Sequence, residues 1–565
     1  MDTFDHIIVG GGSAGCVLAN RLSARSSNKV LLIESGIDTP PGRVPKDILD
    51  IFPTSAFNPL YKWMKLLVFY QPLPSNAPER PPRLLYDQGH VLGGGSALNF
   101  QAANRGAPGD YDEWERAGAA GWGWNDVLPY FRKLESDQDF DGPLHGKDGP
   151  IPIRRVKPAQ WSGYTKAMAD AMGAAGMKLV ADQNGPWEDG YFPATQNNMG
   201  VERISTAIAY LDAGVRARPN LRLITSAHVR ELVFDGLRAT GVTVMQNGAA
   251  ATYRGNEIIL STGAIHSPAM LMRSGIGPAQ HLAQFNIDVR QDLPGVGTGL
   301  QEHPGVPVAT FLMPKARHDP RRHGMYLQLS VRMSSGVEGC PPGDMFCSII
   351  GKVMWHPIGR RLGVAMGWCN KPFSRGLVRL ETPRWEDHPQ VAMNFFSDRR
   401  DLTRLMNMTR FLAGLYRHPS VKAVSRGVFA ANYGARAASV GRVTLRNKVL
   451  TSIGGAVMDM PAPIRQAFID NMLLSGPKFA DVLLDDDALE AHCRRMATGV
   501  KHVSCTCRMG ADGDPMAVTD NQGRVRGVGG LRVVDASLFP SVPRANTNIP
   551  TIMTAEKIAD RILAH

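Results

Sequence analysis

The chain has 565 residues, of which 43% are hydrophobic, 20% charged and 7% aromatic. This length predicts two or three domains, and the composition excludes a disordered or fibrous protein. The net charge of +12 comes from Lys and Arg residues that are scattered rather than gathered in runs, which favours a basic surface over a nucleic-acid-binding tail. No apolar run reaches the roughly 18 residues of a membrane-spanning helix. We therefore expect neither a nucleic-acid partner nor an integral membrane segment.

The first predicted elements are a strand, a glycine-rich turn and a helix. Residues 4–9 read FDHIIV, a buried-strand pattern, residues 10–15 read GGGSAG, and residues 16–22 have helical apolar spacing. A second apolar strand at 30–33 ends at Glu34, where an acid can accept hydrogen bonds from an adenosine ribose. In this setting the G-x-G-x-x-G pattern predicts a dinucleotide-binding Rossmann unit, and it leaves the choice between FAD and NAD open.

Each residue of the glycine turn has a physical role in such a site. Gly10 makes the tight turn, and Gly12 leaves room for a pyrophosphate beside the backbone. Gly15 lets the helix pack closely against the strand. Ser13 and Ala14 open the helix, whose free N–H groups and partial positive charge attract phosphate groups.

Residues 51–70 form the most apolar stretch of the chain. One interpretation is a membrane-touching or dimer-forming surface. The other, which we favour, is a lid and loop that packs core side chains over the cofactor. Further on, short strands are predicted at 221–224, 229–234, 242–245, 258–261, 377–380 and 391–396.

The seven cysteines do not form a disulfide or metal pattern. Only Cys505 and Cys507 are close, and their C-x-C spacing differs from the C-x-x-C of zinc and redox sites. An odd number in a long chain predicts free thiols in a reducing compartment, and no metal site is expected. Because the first residues lack a signal-peptide pattern, the predicted location is the cytoplasm.

Four further motifs occur in a fixed order along the chain. They are GHVLGGGSALN at 89–99, GAIHSPAMLMRSGIG at 263–277, LPGVG at 293–297 with a following His-Pro, and a C-terminal set containing His502, TCRMG, GLRVVDAS and NTN. Together these motifs resemble those of the glucose–methanol–choline oxidoreductases. Within that family, the chain is most similar to the bacterial 5-(hydroxymethyl)furfural oxidases and aryl-alcohol oxidase-like members, with shared stretches at 104–106, 110–114, 145–153, 370–372 and 397–402.

The resemblance implies an α/β fold with two interleaved domains. A Rossmann-like FAD-binding domain would take residues 1–155, 215–300 and 496–565. A substrate-binding domain, built on an antiparallel sheet with helices, would take residues 156–214 and 301–495. The strands predicted at 377–380 and 391–396 would belong to the second domain.

The resemblance also implies FAD as the cofactor. Leu98 stands where choline-oxidising relatives carry a His tethered to the flavin, so non-covalent FAD is expected. His90, where the first signature usually has Arg, Lys or Asn, matches the wrong position for a tether. Beyond the glycine turn and Glu34, family positions imply cofactor contacts from Gly93, Gly94, Ser96, Asn99, Val229, Asp535, Ala536, Thr547 and Asn548.

The implied activity is oxidation of a primary alcohol, aryl or furanic, by hydride transfer to the flavin, with the hydrated aldehyde as a further substrate. His502 would be the base, and Asn546 would orient the substrate and stabilise its developing alkoxide. Lys501, where furfural-alcohol oxidases have Trp, and Trp368 are candidates for the substrate pocket. The reduced flavin would be reoxidised by O₂. A dehydrogenase with a quinone acceptor and a hydroxynitrile lyase with structural FAD are the alternatives, and a monomer or homodimer is expected.

Overall fold

The computed structural model describes residues 3–72, 83–430, 439–469 and 479–564. Its strands, in chain order, are β1 Thr3–Val9, β2 Val30–Ile33, β3 Leu67–Phe69, β4 Leu84–Leu85, β5 Glu135–Asp137, β6 Ile151–Ile153, β7 Gly190–Pro193, β8 Leu221–Ile224, β9 His228–Asp235, β10 Arg238–Gln246, β11 Ala249–Leu260, β12 Ile276–Gly277, β13 Gln291–Asp292, β14 Thr298–Leu300, β15 Pro304–Leu312, β16 Leu327–Met333, β17 Met345–Ile350, β18 Leu362–Cys369, β19 Gly376–Arg379, β20 Gln390–Ala392, β21 Ser425–Ala430, β22 Thr498–Gly499 and β23 Leu531–Val533. Its α-helices are α1 Ser13–Ser23, α2 Lys46–Leu49, α3 Pro108–Arg116, α4 Trp124–Leu134, α5 Gly163–Ala174, α6 Thr206–Tyr210, α7 Ala213–Arg216, α8 Gly263–Arg273, α9 Ala279–Ala283, α10 Pro320–His323, α11 Arg399–Leu415, α12 Pro419–Val424, α13 Leu445–Met458, α14 Ala462–Phe468, α15 Phe479–Val482, α16 Asp486–Met496 and α17 Asn548–Leu563.

The first sheet has the order β8-β2-β1-β11-β10-β9, and β23 pairs with β11. Its β8, β2, β1, β11 and β23 strands pair in parallel, whereas β10 and β9 continue it antiparallel. Residues such as Ile7 and Leu31 are fully buried, as expected for parallel strands covered on both faces. The predicted Rossmann strand–turn–helix unit is confirmed, and the sheet draws its strands from three separated parts of the chain.

Helices α1 and α17 pack against each other beside this sheet. The contact includes a buried carboxylate, because Arg21 forms an ion pair of 2.7 Å with Glu556 and the Tyr210 hydroxyl donates to the same side chain at 2.8 Å. The last helix of the chain is thereby fixed next to the helix that follows the glycine turn. This packing brings the C-terminal motif to the predicted cofactor site.

The second large sheet is antiparallel, with the order β21-β15-β18-β17-β16-β7, and the short strand β22 pairs with β15. Helix α11 packs on β15 and β18 through buried residues such as Leu405 and Leu412. This is the antiparallel sheet with helices that the sequence predicts.

The strands predicted at 377–380 and 391–396 lie outside that sheet. Both strands exist, as β19 and β20, but they lie in a separate five-stranded sheet with the order β14-β19-β20-β3-β4. Strand β20 pairs in parallel with β3 from the apolar stretch 51–70. It also ends earlier than predicted, because Asn394 and Phe396 have φ angles of +56° and +63°, a left-handed backbone that cannot continue a strand.

The apolar stretch 51–70 is mostly part of the interior. Phe52, Phe57, Tyr61 and Tyr70 are buried, whereas Leu60 is 71% exposed. The stretch also supplies residues that line the large cavity described below. These positions agree with the interpretation as a lid with core side chains. Within the described part of the chain, no helix has the length and apolar character needed to cross a membrane.

Candidate active site

A cavity of about 1680 Å³ extends from the first sheet to the second. From the first sheet it is lined by residues at strand ends, including Val9 and Ile33, and from the second sheet by Pro307, Ile350 and Trp368. In open α/β sheets, ligands bind at the carboxyl ends of the parallel strands. The cavity therefore occupies the position expected for a dinucleotide, and it extends from there to the residues of the second sheet.

The glycine turn is shaped as the motif requires. Gly10 has a φ of +101°, and a Cβ on Gly15 would lie 1.9 Å from the carbonyl oxygen of Gly10, so both positions need glycine for packing. Gly12 is different, because its Cβ would meet no atom closer than 3.9 Å and would point to open space. Gly12, Ser13 and Ala14 line the cavity at the start of α1. The turn thus leaves an open cradle beside the N–H groups of a helix N-terminus.

Two buried carboxylates border this part of the cavity. Glu34 accepts hydrogen bonds from the N–H groups of Gly11 and Gly36, each at 2.7 Å. Asp535 accepts from the Gly263 N–H at 2.9 Å and from the Ser267 hydroxyl at 2.6 Å. Burial raises the pKa of both carboxyl groups. The Asp535 carboxylate fixes the first turn of α8, so the predicted cofactor contact of this residue would come from main-chain N–H groups nearby.

Most of the predicted cofactor positions line the cavity, but three do not. Gly15 lies behind the turn, and the Gly93 N–H donates to the Gly11 carbonyl at 2.7 Å. Ser96 donates to the Gly93 carbonyl at 2.6 Å. These three residues support the cradle instead of facing it. The predicted positions that line the cavity are Gly10, Gly12, Ser13, Ala14, Glu34, Gly94, Asn99, Val229, Asp535, Ala536, Thr547 and Asn548.

Two positions bear on a covalent link to the cofactor. Leu98 lines the cavity and is buried, and its hydrocarbon side chain offers no group for such a bond. His90 stacks on Trp63 with ring centroids 3.8 Å apart, and it is not among the cavity-lining residues. The expectation of an untethered cofactor stays a prediction that this geometry supports.

The predicted catalytic pair meets at the cavity wall. Nε2 of His502 lies 2.9 Å from the amide nitrogen of Asn546, and Nδ1 of His502 lies 2.9 Å from Nδ1 of His303. Burial lowers the pKa of His502 to about 3 and that of His303 well below its usual value. Both rings are therefore neutral near pH 7, a pH at which even an unperturbed histidine is mostly uncharged. When Asn546 donates to Nε2, the single proton of His502 sits on Nδ1 and is donated to His303.

Glu302 organises the backbone of this pair and was not predicted from the sequence. Its carboxylate accepts the N–H groups of Lys501 at 3.0 Å and of His502 at 2.9 Å, as well as the hydroxyl of Tyr86. Burial raises the pKa of Glu302. Lys501 has a φ of +74°, which is rare for a residue with a side chain, and the bond to Glu302 helps to hold it there. Glu302 directly precedes the His-Pro pair at 303–304, which belongs to one of the family motifs but was given no role.

The two predicted substrate-pocket residues both line the cavity. The Lys501 ammonium lies 4.3 Å from the centre of the Tyr86 ring. Burial alone would lower its pKa, but nearby Tyr70 and acidic groups outweigh burial and raise it, so the side chain stays cationic. The Trp368 ring lies 6.5 Å from the His502 ring, and its N–H donates to Asn370 at 3.2 Å.

Glu135, Asp137 and His145 bring three groups of metal-ligand type close together. The Arg105 guanidinium pairs with Glu135, and Arg155 lies 2.9 Å from Asp137. Although burial alone would lower the pKa of His145, hydrogen bonds to Asp137 and its neighbours raise it to about 10. With Arg105, Arg155 and Asp182 as further partners, the group forms a buried ion-pair network.

The cavity combines a dinucleotide cradle with a neutral histidine that contacts an amide. This arrangement is typical of a nucleotide-dependent oxidoreductase. Family models for GMC oxidoreductases match residues 4–305 and 372–555. The chain belongs to this family and is an FAD-dependent alcohol oxidase or dehydrogenase.

Individual relatives agree with this membership. The chain is 43% identical to a 5-(hydroxymethyl)furfural oxidase from Methylovorus sp. (strain MP688), over 99% of this chain and 98% of the relative. It is 32% identical to an alcohol dehydrogenase [acceptor] from Pseudomonas putida, over 99% and 96% of the two chains. Its fold is similar to that of pyridoxine 4-oxidase from Mesorbium loti, with a TM-score of 0.80, 24% identity and full coverage of both chains.

The residues present fit FAD. The open space at Gly12 is a cradle that a Cβ would fill. Among the described residues, the buried Oδ1 of Asn546 and the buried Nδ2 of Asn548 have no hydrogen-bond partner in the protein. Buried polar atoms are rarely left unsatisfied, and both residues line the cavity. They are available to a bound ligand.

Proposed function

We propose that this protein oxidises primary aryl or furanic alcohols, with His502 as the base and O₂ as the acceptor that reoxidises the cofactor. The proposal rests above all on one observation. His502 and Asn546 lie 2.9 Å apart on the wall of the cavity that the glycine turn and Glu34 also line. Bound FAD would supply the hydride acceptor there, and the residues of the chain would supply the proton chemistry.

The first task of the residues is to take the hydroxyl proton of the alcohol. His502 is suited to this because burial keeps its ring neutral, with Nε2 unprotonated when Nδ1 donates to His303. The substrate hydroxyl would bind beside both groups, donating to Nε2 in place of the Asn546 amide, which would then turn its N–H toward the substrate oxygen. Asn546 cannot accept the proton as a base, but its N–H can stabilise the negative charge that develops on the oxygen. Proton removal raises the tendency of the alcohol carbon to give up hydride.

The second task is to hold the histidine in this protonation state. Glu302 fixes the main chain at residues 501 and 502, and His303 accepts the proton on Nδ1. The main-chain carbonyls of Asn370 and Pro543 lie near the His303 ring and favour a proton on it. We infer that His303 is a positioning residue, because it acts on the substrate only through His502.

Lys501 supports a preference within the alcohol class. Its ammonium is a cation that lines the cavity, one residue from the proposed base. A buried cation attracts a carboxylate more strongly than a cation in water does. We propose that Lys501 favours substrates with a carboxylate, including the hydroxy acid formed when one alcohol group of a furanic diol is oxidised twice, the second time as the hydrated aldehyde.

The test is to add a panel of alcohols to the holoenzyme without oxygen and to follow the flavin absorbance. Bleaching by aryl and furanic primary alcohols supports the proposed substrate class. Admitting air then measures reoxidation. Return of the absorbance within the turnover time supports the oxidase, whereas return only with an added quinone assigns the dehydrogenase. An enzyme that no alcohol bleaches would contradict alcohol oxidation and favour the lyase.

A further inference from the structure

The helix α13, Leu445–Met458, presents its apolar side chains to the outside. Its buried side consists of Thr451, Gly454, Gly455 and Met458, which are small except for the methionine. Gly454 and Gly455 pack closely on the segment before β18, since added Cβ atoms would lie 2.9 Å from atoms of Ile358 and Arg361. A surface helix normally has the opposite arrangement, with its large apolar residues toward the core.

Leu445, Val449, Leu450 and Ile453 are spaced so that they share one side of α13, and two further exposed apolar residues follow between 460 and 464. We call these side chains the α13 face. Their exposed fractions are large for apolar residues, and a contiguous apolar surface of this kind usually marks an interaction site. The residues are Leu445 (78%), Val449 (53%), Leu450 (50%), Ile453 (60%), Met460 (45%) and Ile464 (49%).

The α13 face is bordered by positive charge. Arg442, Arg446 and Lys448 are all exposed at or just before the first turns of the helix. The acidic residue at the end of α13, Asp459, is engaged in ion pairs of 2.5 Å with both Arg317 and Arg361. The described part of this helix and its borders therefore combines apolar side chains with unbalanced positive charge.

The apolar side chains and positive charge of the α13 face favour one of two possible partners. In a symmetric dimer the same patch would meet itself, and the Arg446 and Lys448 side chains of the two copies would repel each other. An anionic lipid surface, in contrast, would attract these cations while the apolar side chains enter its outer layer. We propose that the α13 face docks the protein on anionic lipid bilayers, lying in the interface without crossing it.

Docking at this face would bring one wall of the cavity to the bilayer. Arg442 lines the cavity, and Gly441 lies next to Phe57 and Met354, which line it as well. An apolar alcohol or acceptor dissolved in the bilayer would then reach the enzyme from the lipid side. The docking itself does not depend on the activity, because it concerns side chains outside the His502 site.

The experiment is sedimentation of the holoenzyme with vesicles. We expect binding to vesicles of phosphatidylcholine mixed with phosphatidylglycerol and much weaker binding to pure phosphatidylcholine, with a loss of binding as salt is raised. Ile453→Asp should reduce binding at least tenfold. The matched control is Ser452→Asp, which adds the same charge at the neighbouring exposed position and should reduce binding much less.

A second variant keeps the test informative if Ile453→Asp does not fold. The double variant Arg446→Glu with Lys448→Glu changes only exposed charges and should also reduce binding at least tenfold, with turnover of a soluble alcohol unchanged. Equal binding to neutral and anionic vesicles, or full binding by folded variants, would overturn the proposal. So would light scattering that finds a lipid-free dimer which Ile453→Asp dissociates.

Discussion

Replacing Gly12 with alanine should weaken FAD binding and leave the stability of the fold almost unchanged. The backbone there has a φ of −76° and is extended, a conformation that alanine adopts readily. The new Cβ would meet only the carbonyl oxygen of Ser261, at 3.9 Å, so the protein without cofactor has room for it. The free energy of unfolding should stay within about 1 kcal/mol of the wild-type value.

FAD binding should respond differently to the same change. The Cβ would occupy the space where a phosphate approaches the backbone, and it would lengthen or break a main-chain hydrogen bond to that phosphate. One hydrogen bond to a charged group contributes about 1.5–3 kcal/mol. The dissociation constant for FAD should therefore rise roughly 10- to 150-fold. Gly12→Ala is thus predicted to weaken binding without weakening the fold.

The assay is titration of the FAD-free protein with FAD, followed by the quenching of flavin fluorescence, alongside urea unfolding without FAD. Gly414→Ala is the matched control, because this exposed glycine in α11 also has free space and is not among the residues that line the cavity. Gly15→Ala should lose both stability and FAD, since its Cβ would overlap the Gly10 carbonyl. Wild-type FAD affinity in Gly12→Ala would refute the proposal that a phosphate of FAD lies against the backbone at Gly12.

Three further predictions concern buried histidine and lysine side chains. His303→Leu should lower the rate of flavin reduction at least about tenfold with FAD content unchanged, because His502 loses its acceptor, and His303→Gln should restore part of the rate. Lys501→Met should raise KM for carboxylate-bearing alcohols roughly tenfold and leave neutral alcohols unchanged, and equal changes for both groups would contradict the assignment. Burial lowers the pKa of His228 and His318 to about 4, whereas the unfolded value is about 6.5. The unfolded chain therefore binds protons first as the pH drops from 6.5 to 4, and the free energy of unfolding should decrease over this range, by roughly 2 kcal/mol for each histidine at about pH 5. Urea unfolding at a series of pH values measures this change.

The sequence predicted the parts of the fold that depend on local signals. The glycine turn, α1 and β2 follow from residue spacing alone, because each residue acts on neighbours close in the chain. The strands at 377–380 and 391–396 were found for the same reason. The sheet that contains them could not be predicted, because the partner strands, β3 and β14, lie far away in sequence. Pairing between distant segments leaves no mark in the pattern of either one.

The candidate site divides in a similar way. The family motifs identified His502 and Asn546, and the structure brings them together on one wall. Glu302 and Tyr86 were missed, because a residue that holds another by a hydrogen bond to its main chain carries no recognisable spacing. Gly93 and Ser96 are predicted cofactor contacts, and in the structure they make hydrogen bonds to the glycine turn and to each other. A motif marks positions that matter and does not say which of them face the ligand.

The proposed reaction depends on His502 taking the proton that allows hydride transfer. The most direct measurement is the rate of anaerobic flavin bleaching by a good alcohol substrate in His502→Ala, with FAD content determined first. We expect full FAD content and a rate at least about 100-fold below wild type, as general base catalysis typically contributes that much or more. Bleaching at the wild-type rate in the FAD-loaded variant would contradict the account.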